Sequence, residues 1–297
     1  MPVSSLPSPC GIGALGEDAR RFVDFLARSG QSFWQVLPVS PTGFGDSPYQ
    51  SFSARAGNPN FIDFAELIQA GYLEQRDIDG VYLGSDPSNV DYGAIFGGRR
   101  QILDRAAERF AADKPADFDD FIQANEDWLI PYCEFMTVKE ECGLKAFWEW
   151  PAELRTRGEA SAKVCADHPA RMLYHQMTQY FFDRQWSRLK AYANERDILI
   201  IGDLPIYVAM DSADVWAEPE CFQLDDQCVP TEVPGVPPDY FSADGQLWGN
   251  PLYAWDRMQA DGFGWWIRRI GGAQKLYDVI RIDHFRGFES YWAIPYG

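Results

Sequence analysis

The chain has no Cys-x-x-Cys pair. Its six cysteines (Cys10, Cys133, Cys142, Cys165, Cys221 and Cys228) are scattered, and no histidine lies close enough to complete a zinc site. That excludes a disulfide-framed secreted module, and scattered free thiols fit a reducing cytosol. Basic residues are also scarce: 26 Lys and Arg stand against 44 Asp and Glu, a net charge of -18. Nucleic acids and anionic membrane surfaces both require basic patches, so neither is an expected partner. No apolar run approaches membrane-spanning length. Met1 to Gly16 lack the basic and apolar regions of a signal peptide, so a cytoplasmic protein is expected. Internal repeats and low-complexity runs are missing as well. What the chain has in quantity is aromatic side chains, 15% of the residues including 11 Trp, most of which general burial tendencies assign to the core.

The organisation is that of an α/β protein. Residues 17–29 carry Ala19, Phe22, Phe25 and Leu26 at helical spacing, and Gly30 follows as a stop signal. Residues 33–39 then read as a buried strand, and Ser40 to Asn60, rich in Gly, Pro and Ser, as loop. Between 61 and 172 the pattern turns mostly helical, with one helix expected through Phe118, Phe121, Asn125 and Leu129. A long helix over 170–195 follows, its apolar face formed by Phe182, Trp186, Leu189 and Ala193. Ile198 to Ile201 read as a strand buried on both faces, with Asp203 just past its end. Pro230 to Asn250 read as an irregular stretch, 262–277 as a helix and 278–284 as a third strand. The implied division is 1–60 as the first part of a barrel, 61–172 as a mainly helical insertion, and 173–297 as the barrel continued with a long loop at 230–253.

The sharpest chemical signal is Ile280-Arg281-Ile282-Asp283-His284-Phe285-Arg286-Gly287. Strand side chains alternate, so Arg281 and Asp283 should project to the same side. A guanidinium beside a carboxylate favours its ionised form. An ionised carboxylate at the C-terminal end of a barrel strand is what a retaining sugar enzyme needs as its nucleophile. His284 should face the opposite way by the same parity, and His168 and His175 read as structural.

Four further motifs accompany it in order: Ser47-Pro48-Tyr49-Gln50, Gly202-Asp203-Leu204-Pro205, Pro237-Pro238-Asp239-Tyr240-Phe241-Ser242, and Gln246-Leu247-Trp248-Gly249-Asn250-Pro251. Together they resemble the 4-α-glucanotransferases (amylomaltases, glycoside hydrolase family 77) over essentially the whole chain. The resemblance implies a (β/α)8 TIM-barrel fold, incomplete within these residues because three recognisable strands cannot close a barrel. It implies Asp283 as the nucleophile and Arg281 as the residue orienting it. Asp203, Tyr49 and Ser47 would hold the donor sugar. Tyr240 and Phe241 would cover the acceptor side, with Asp239, Trp248 and Asn250 shaping the subsites. The implied ligands are α-1,4-glucans and maltooligosaccharides such as starch, glycogen or maltodextrin, with glucose as acceptor and no metal or other cofactor.

The resemblance also implies an acid/base Glu and a third carboxylate beyond Gly297. Glu289 follows the strand end too closely to replace the first. The 297 residues alone are therefore expected to lack turnover. A non-catalytic maltooligosaccharide-binding fragment and a related hydrolase are the alternative readings.

Overall fold

The computed structural model describes residues 1–297 apart from Phe44, Asp239 and Phe241. Among the described residues six strands form two sheets: β1 (Phe33–Gln35), β2 (Leu199–Pro205), β3 (Glu232–Val236), β4 (Gln246–Leu247), β5 (Val279–Asp283) and β6 (Trp292–Pro295). The first sheet is parallel in the order β1-β2-β5, with Trp34 beside Ile200 and Asp203 beside Arg281. The second is antiparallel in the order β4-β3-β6.

Parallel neighbours need long crossovers, and helices fill them. Before β1 stands α1 (Glu17–Arg28). Between β1 and β2 come α2 (Phe64–Gln69), α3 (Gln75–Ile78), α4 (Tyr92–Ala112), α5 (Phe118–Ala124), α6 (Glu126–Glu141), α7 (Glu159–Asp167) and α8 (Pro169–Asn194). After β2 come α9 (Ala213–Ala217), α10 (Trp255–Ala260) and α11 (Gly264–Leu276). The expected helix starts and stops hold well. Gly30 adopts the left-handed conformation after α1, which only glycine takes without strain. Pro169 opens α8, where its missing N–H costs nothing.

The parallel sheet has a dry face and an open one. Trp34, Ile200 and Leu204 are buried against the helices, and Gly202 lies so close to Tyr277 that an added Cβ would sit 2.1 Å from its ring. The other face carries Phe33, Leu199 and Val279, exposed by 51, 39 and 40%. Burial of Ile198 to Ile201 on both faces is therefore not what the structure has. Ile198 and Ile200 are buried, but Leu199 faces out because helices cover one side only. Val279 to Ile282 are likewise partly exposed.

Other elements depart from expectation for local reasons. The first strand stops at Gln35: Val36 still donates to Ile201 O, but Pro38 has no N–H to continue the ladder. Asp203 lies within β2, which runs on to Pro205. The helix expected through 118–129 is two, broken at Asn125. The Asn125 side chain donates to Phe121 O at 2.9 Å and accepts from Trp128 Nε1 at 3.2 Å, serving the end of α5 and the start of α6. The stretch 230–250 contains β3 and β4 despite its prolines, because β3 pairs with β4 on one side and with β6, distant in sequence, on the other.

Candidate active site

Asp203 and Asp283 stand near the C-terminal ends of adjacent strands, joined by one guanidinium. The β2–β5 register sets Asp203 beside Arg281 and Pro205 beside Asp283. In-register residues of parallel neighbours share a face, so Arg281 reaches both acids. Its Nη1 donates to Asp203 Oδ1 at 3.0 Å and its Nη2 to Asp283 Oδ1 at 3.0 Å. The expected projection of Arg281 and Asp283 to one side is borne out.

The two carboxylates have different surroundings. The Asp203 side chain is fully buried, and its second oxygen accepts from the Tyr49 hydroxyl at 2.7 Å. Asp283 keeps 48% of its side chain exposed, leaving room for a reactant to approach. Burial first, then the bond to Asp203, pushes the Tyr49 hydroxyl up to about 12, so it remains a donor throughout ordinary pH. The cluster thus sets two carboxyl groups against one guanidinium.

The loop carrying Tyr49 is tied locally. Ser47 Oγ accepts from Tyr49 N at 3.3 Å, and an antiparallel bridge joins Thr42 to Ser51. Ser47 thus shapes the turn that delivers Tyr49. Trp248 follows β4, its indole donating to Gln246 Oε1 at 2.9 Å and its ring meeting His284 edge-on at 4.9 Å. His284 does not continue strand parity: its backbone turns left-handed at φ 52°, and its ring packs on Trp248. Tyr240 is 97% exposed, so it is no core anchor. Asp239 and Phe241 lie outside the described residues. Asn250 is 7% exposed, and its amide donates to Val208 O at 2.7 Å, which ties it to the segment that follows β2.

Two features escape a reading of the sequence. The Arg281–Asp203 contact depends on strand register across 78 residues. Arg269, 4% exposed, donates to the carbonyls of Pro205 and Ile206 just past Asp203. Its signal is visible in hindsight: position 269 falls four residues before Ala273 and three after Trp266, on the apolar stripe of its helix, and a charge there must find partners. Among the described residues no group of three His, Cys, Asp or Glu is placed to hold a metal ion, and no helix is long and apolar enough to cross a membrane.

Known proteins resemble this chain over its whole length. A 4-α-glucanotransferase of Streptococcus pneumoniae serotype 4 is 50% identical over 300 residues, covering 100% of this chain and 59% of its own length. The 4-α-glucanotransferase of Thermus thermophilus is 47% identical over 297 residues, covering 98% of this chain and 58% of its own. The solved amylomaltase of Streptococcus agalactiae in complex with acarbose superimposes with a TM-score of 0.95 at 48% identity, over 99% of this chain and 60% of that one. The chain thus spans about three fifths of the length of these relatives. Its three-stranded parallel sheet is an incomplete barrel of the TIM type, as the amylomaltase neighbour indicates. The family profile described as 4-alpha-glucanotransferase matches residues 1–297, and with the paired strand-end carboxylates this places the chain in that family, glycoside hydrolase family 77.

Proposed function

We propose that the chain carries the donor-sugar half of a 4-α-glucanotransferase site acting on α-1,4-glucans and maltooligosaccharides. The observation that carries this is Arg281 bridging a buried Asp203 and an open Asp283. Asp283 attacks the anomeric carbon as the glycosidic C–O bond breaks, forming a covalent glycosyl-enzyme ester with retained stereochemistry overall. The leaving 4-oxygen takes a proton from a second carboxyl group, which we place in the part of the relatives' length that this chain does not span. The 4-hydroxyl of an acceptor glucose or glucan then attacks the same carbon, gives up its proton to that group and releases Asp283. Arg281 orients the nucleophile. Asp203 and Tyr49 hold the donor ring, with Ser47 shaping the Tyr49 turn. The loop from β3 to β4, with Asp239, Tyr240 and Phe241, covers the acceptor side and keeps water out. Trp248 and Asn250 support it. Six free thiols support a reducing compartment, the cytoplasm, as the site of action.

A second reading has its own support. The cradle of Tyr49, Arg281 and Asp203 is formed within these residues, so the chain binds maltooligosaccharide without chemistry if the proton donor is lacking.

Incubation with maltotriose, following glucose and longer maltodextrins, separates the readings. Acarbose binding by calorimetry without product formation from the 297 residues is the expected result. A product ladder from them alone would refute the placement of the proton donor, and failure to bind acarbose or maltotriose would sink both readings. In the active protein, Asp283→Asn should lower transfer by roughly 10^3-fold or more while the fold persists.

A further inference from the structure

The chain leaves β2 at Pro205 yet stays buried. Ile206, Tyr207, Val208, Ala209 and Met210 are between 3 and 8% exposed although they belong to no strand or helix. Carbonyls in such a segment need donors that the sheet no longer supplies. Side chains supply them. Arg269 Nη2 donates to Pro205 O at 2.5 Å and Nη1 to Ile206 O at 2.7 Å. The Tyr253 hydroxyl donates to Ile206 O at 2.7 Å and accepts from Arg269 at 3.0 Å. Asn250 takes Val208 O, and Ser212 takes Ala209 O at 2.7 Å.

Arg269 is an expensive choice for this task. Its guanidinium is packed over the rings of Trp265 and Trp266, and its hydrogen bonds go to carbonyls and a hydroxyl with no carboxylate among them. A well-packed apolar side chain on α11 is generally at least as stabilising as a buried charge. What an arginine adds is a planar fork of fixed geometry, able to hold two successive carbonyls at once. The place it holds is specific. Pro205 is the register partner of Asp283 and lies two residues past Asp203. Asn250 and Tyr253 lie on the limb returning from β4 and Trp248.

We propose that Arg269 is a positioning residue which, through Tyr253 and with Asn250, locks the strand end bearing Asp203 to the returning limb of the 232–253 loop. The carboxylate pair and the loop over the sugar then keep one spacing. The catalytic consequence rests on the transferase reading above; the mechanical one does not.

The test uses Tyr253→Phe, which removes one hydroxyl, together with Arg269→Met and Arg269→Lys. Amide hydrogen exchange of the unmodified protein is compared with each variant. Exchange at 203–212 and 246–254 should quicken together, by roughly 10- to 100-fold for Tyr253→Phe, which removes both hydrogen bonds of that hydroxyl. Amides of α4 and α8 should not change. In the active protein the share of maltotriose cleavage ending in hydrolysis should rise several-fold while KM moves less than about twofold, because a loosened loop admits water. Arg269→Lys should restore thermal stability but not that ratio, since an ammonium is not a fork. Uniform quickening across the protein, or quickening in one segment only, overturns the proposal. So does coupled quickening with an unchanged hydrolytic share. If the longer protein that also supplies the proton donor shows no transfer before any substitution, the transferase reading has failed, and the exchange pattern alone decides whether the lock exists. If Arg269→Met does not fold, Tyr253→Phe still decides.

Discussion

At the scale of the residue, Asp203 is held by one charged and one neutral donor, and these can be separated. Tyr49→Phe keeps the ring but leaves Asp203 Oδ2 buried without its 2.7 Å partner. Losing a hydrogen bond to a charged group costs about 1.5–3 kcal/mol, so acarbose affinity should fall by roughly 10- to 100-fold. Tyr49→Ala should fall further if the ring also stacks on the sugar. Calorimetry checks both, and a Phe variant that binds like the parent would show that the hydroxyl holds nothing of consequence. The acids themselves were legible in the sequence because strand parity is local: it sets Arg281 and Asp283 on one side without knowledge of the fold. Parity fails one residue later, at His284, where the backbone turns left-handed. The third partner, Asp203, needs the β2–β5 register, which no local pattern encodes.

At the scale of the element, the helices between β1 and β2 meet at a buried charge cluster. Glu140 on α6 accepts from Arg100 of α4 at 2.8 and 2.7 Å and from Arg171 of α8 at 2.8 Å, with His175 Nε2 of α8 at 3.0 Å. Burial by itself raises the Glu140 carboxyl, but His175 and Arg100 overcome it and hold it well below its ordinary 4.5. A carboxyl depressed by folding lends stability that is present above its unfolded value and lost as pH falls from there towards the folded one. The melting temperature should therefore fall steeply below about pH 4.5, and Glu140→Gln should flatten that limb. The same variant should lose about 3 kcal/mol at pH 7, as breaking a buried pair does. Thermal melts across pH check this, and an unchanged acid limb in Glu140→Gln would contradict it. Helix spacing made most of these elements readable, since an apolar stripe with period 3.6 is a strong local signal. The break at Asn125 was hidden because the stripe runs on through it, and β3 because its prolines spoke for loop while β6 lies more than fifty residues away.

At the scale of the molecule, one face of the parallel sheet is covered along its length and the other only near Asp203, under Tyr49. Phe33, Leu199 and Val279 stand exposed across β1, β2 and β5, and Phe285, Phe288 and Trp292 follow at 68, 37 and 56%. Neither β1 nor β5 has a second partner strand among the described residues, so each presents an unpaired edge. Apolar faces and open edges of this kind drive self-association. The charge of -18 opposes it, since like-charged surfaces repel over about a Debye length, roughly 8 Å at physiological salt. The two effects respond oppositely to ionic strength: salt screens the repulsion and leaves hydrophobic contact intact. The 297-residue chain should therefore be mostly monomeric at low salt and associate increasingly as salt rises, binding an apolar dye in the monomeric form. Leu199→Glu with Val279→Glu places two charges on the open face, where neither displaces a buried side chain, and should shift the association to several-fold higher protein concentration at equal salt. Sedimentation velocity over a salt series measures it. A chain that stays monomeric at every salt and binds no dye would mean that the open face is covered in solution, and the exposure of Phe33, Leu199 and Val279 would then not describe the free protein.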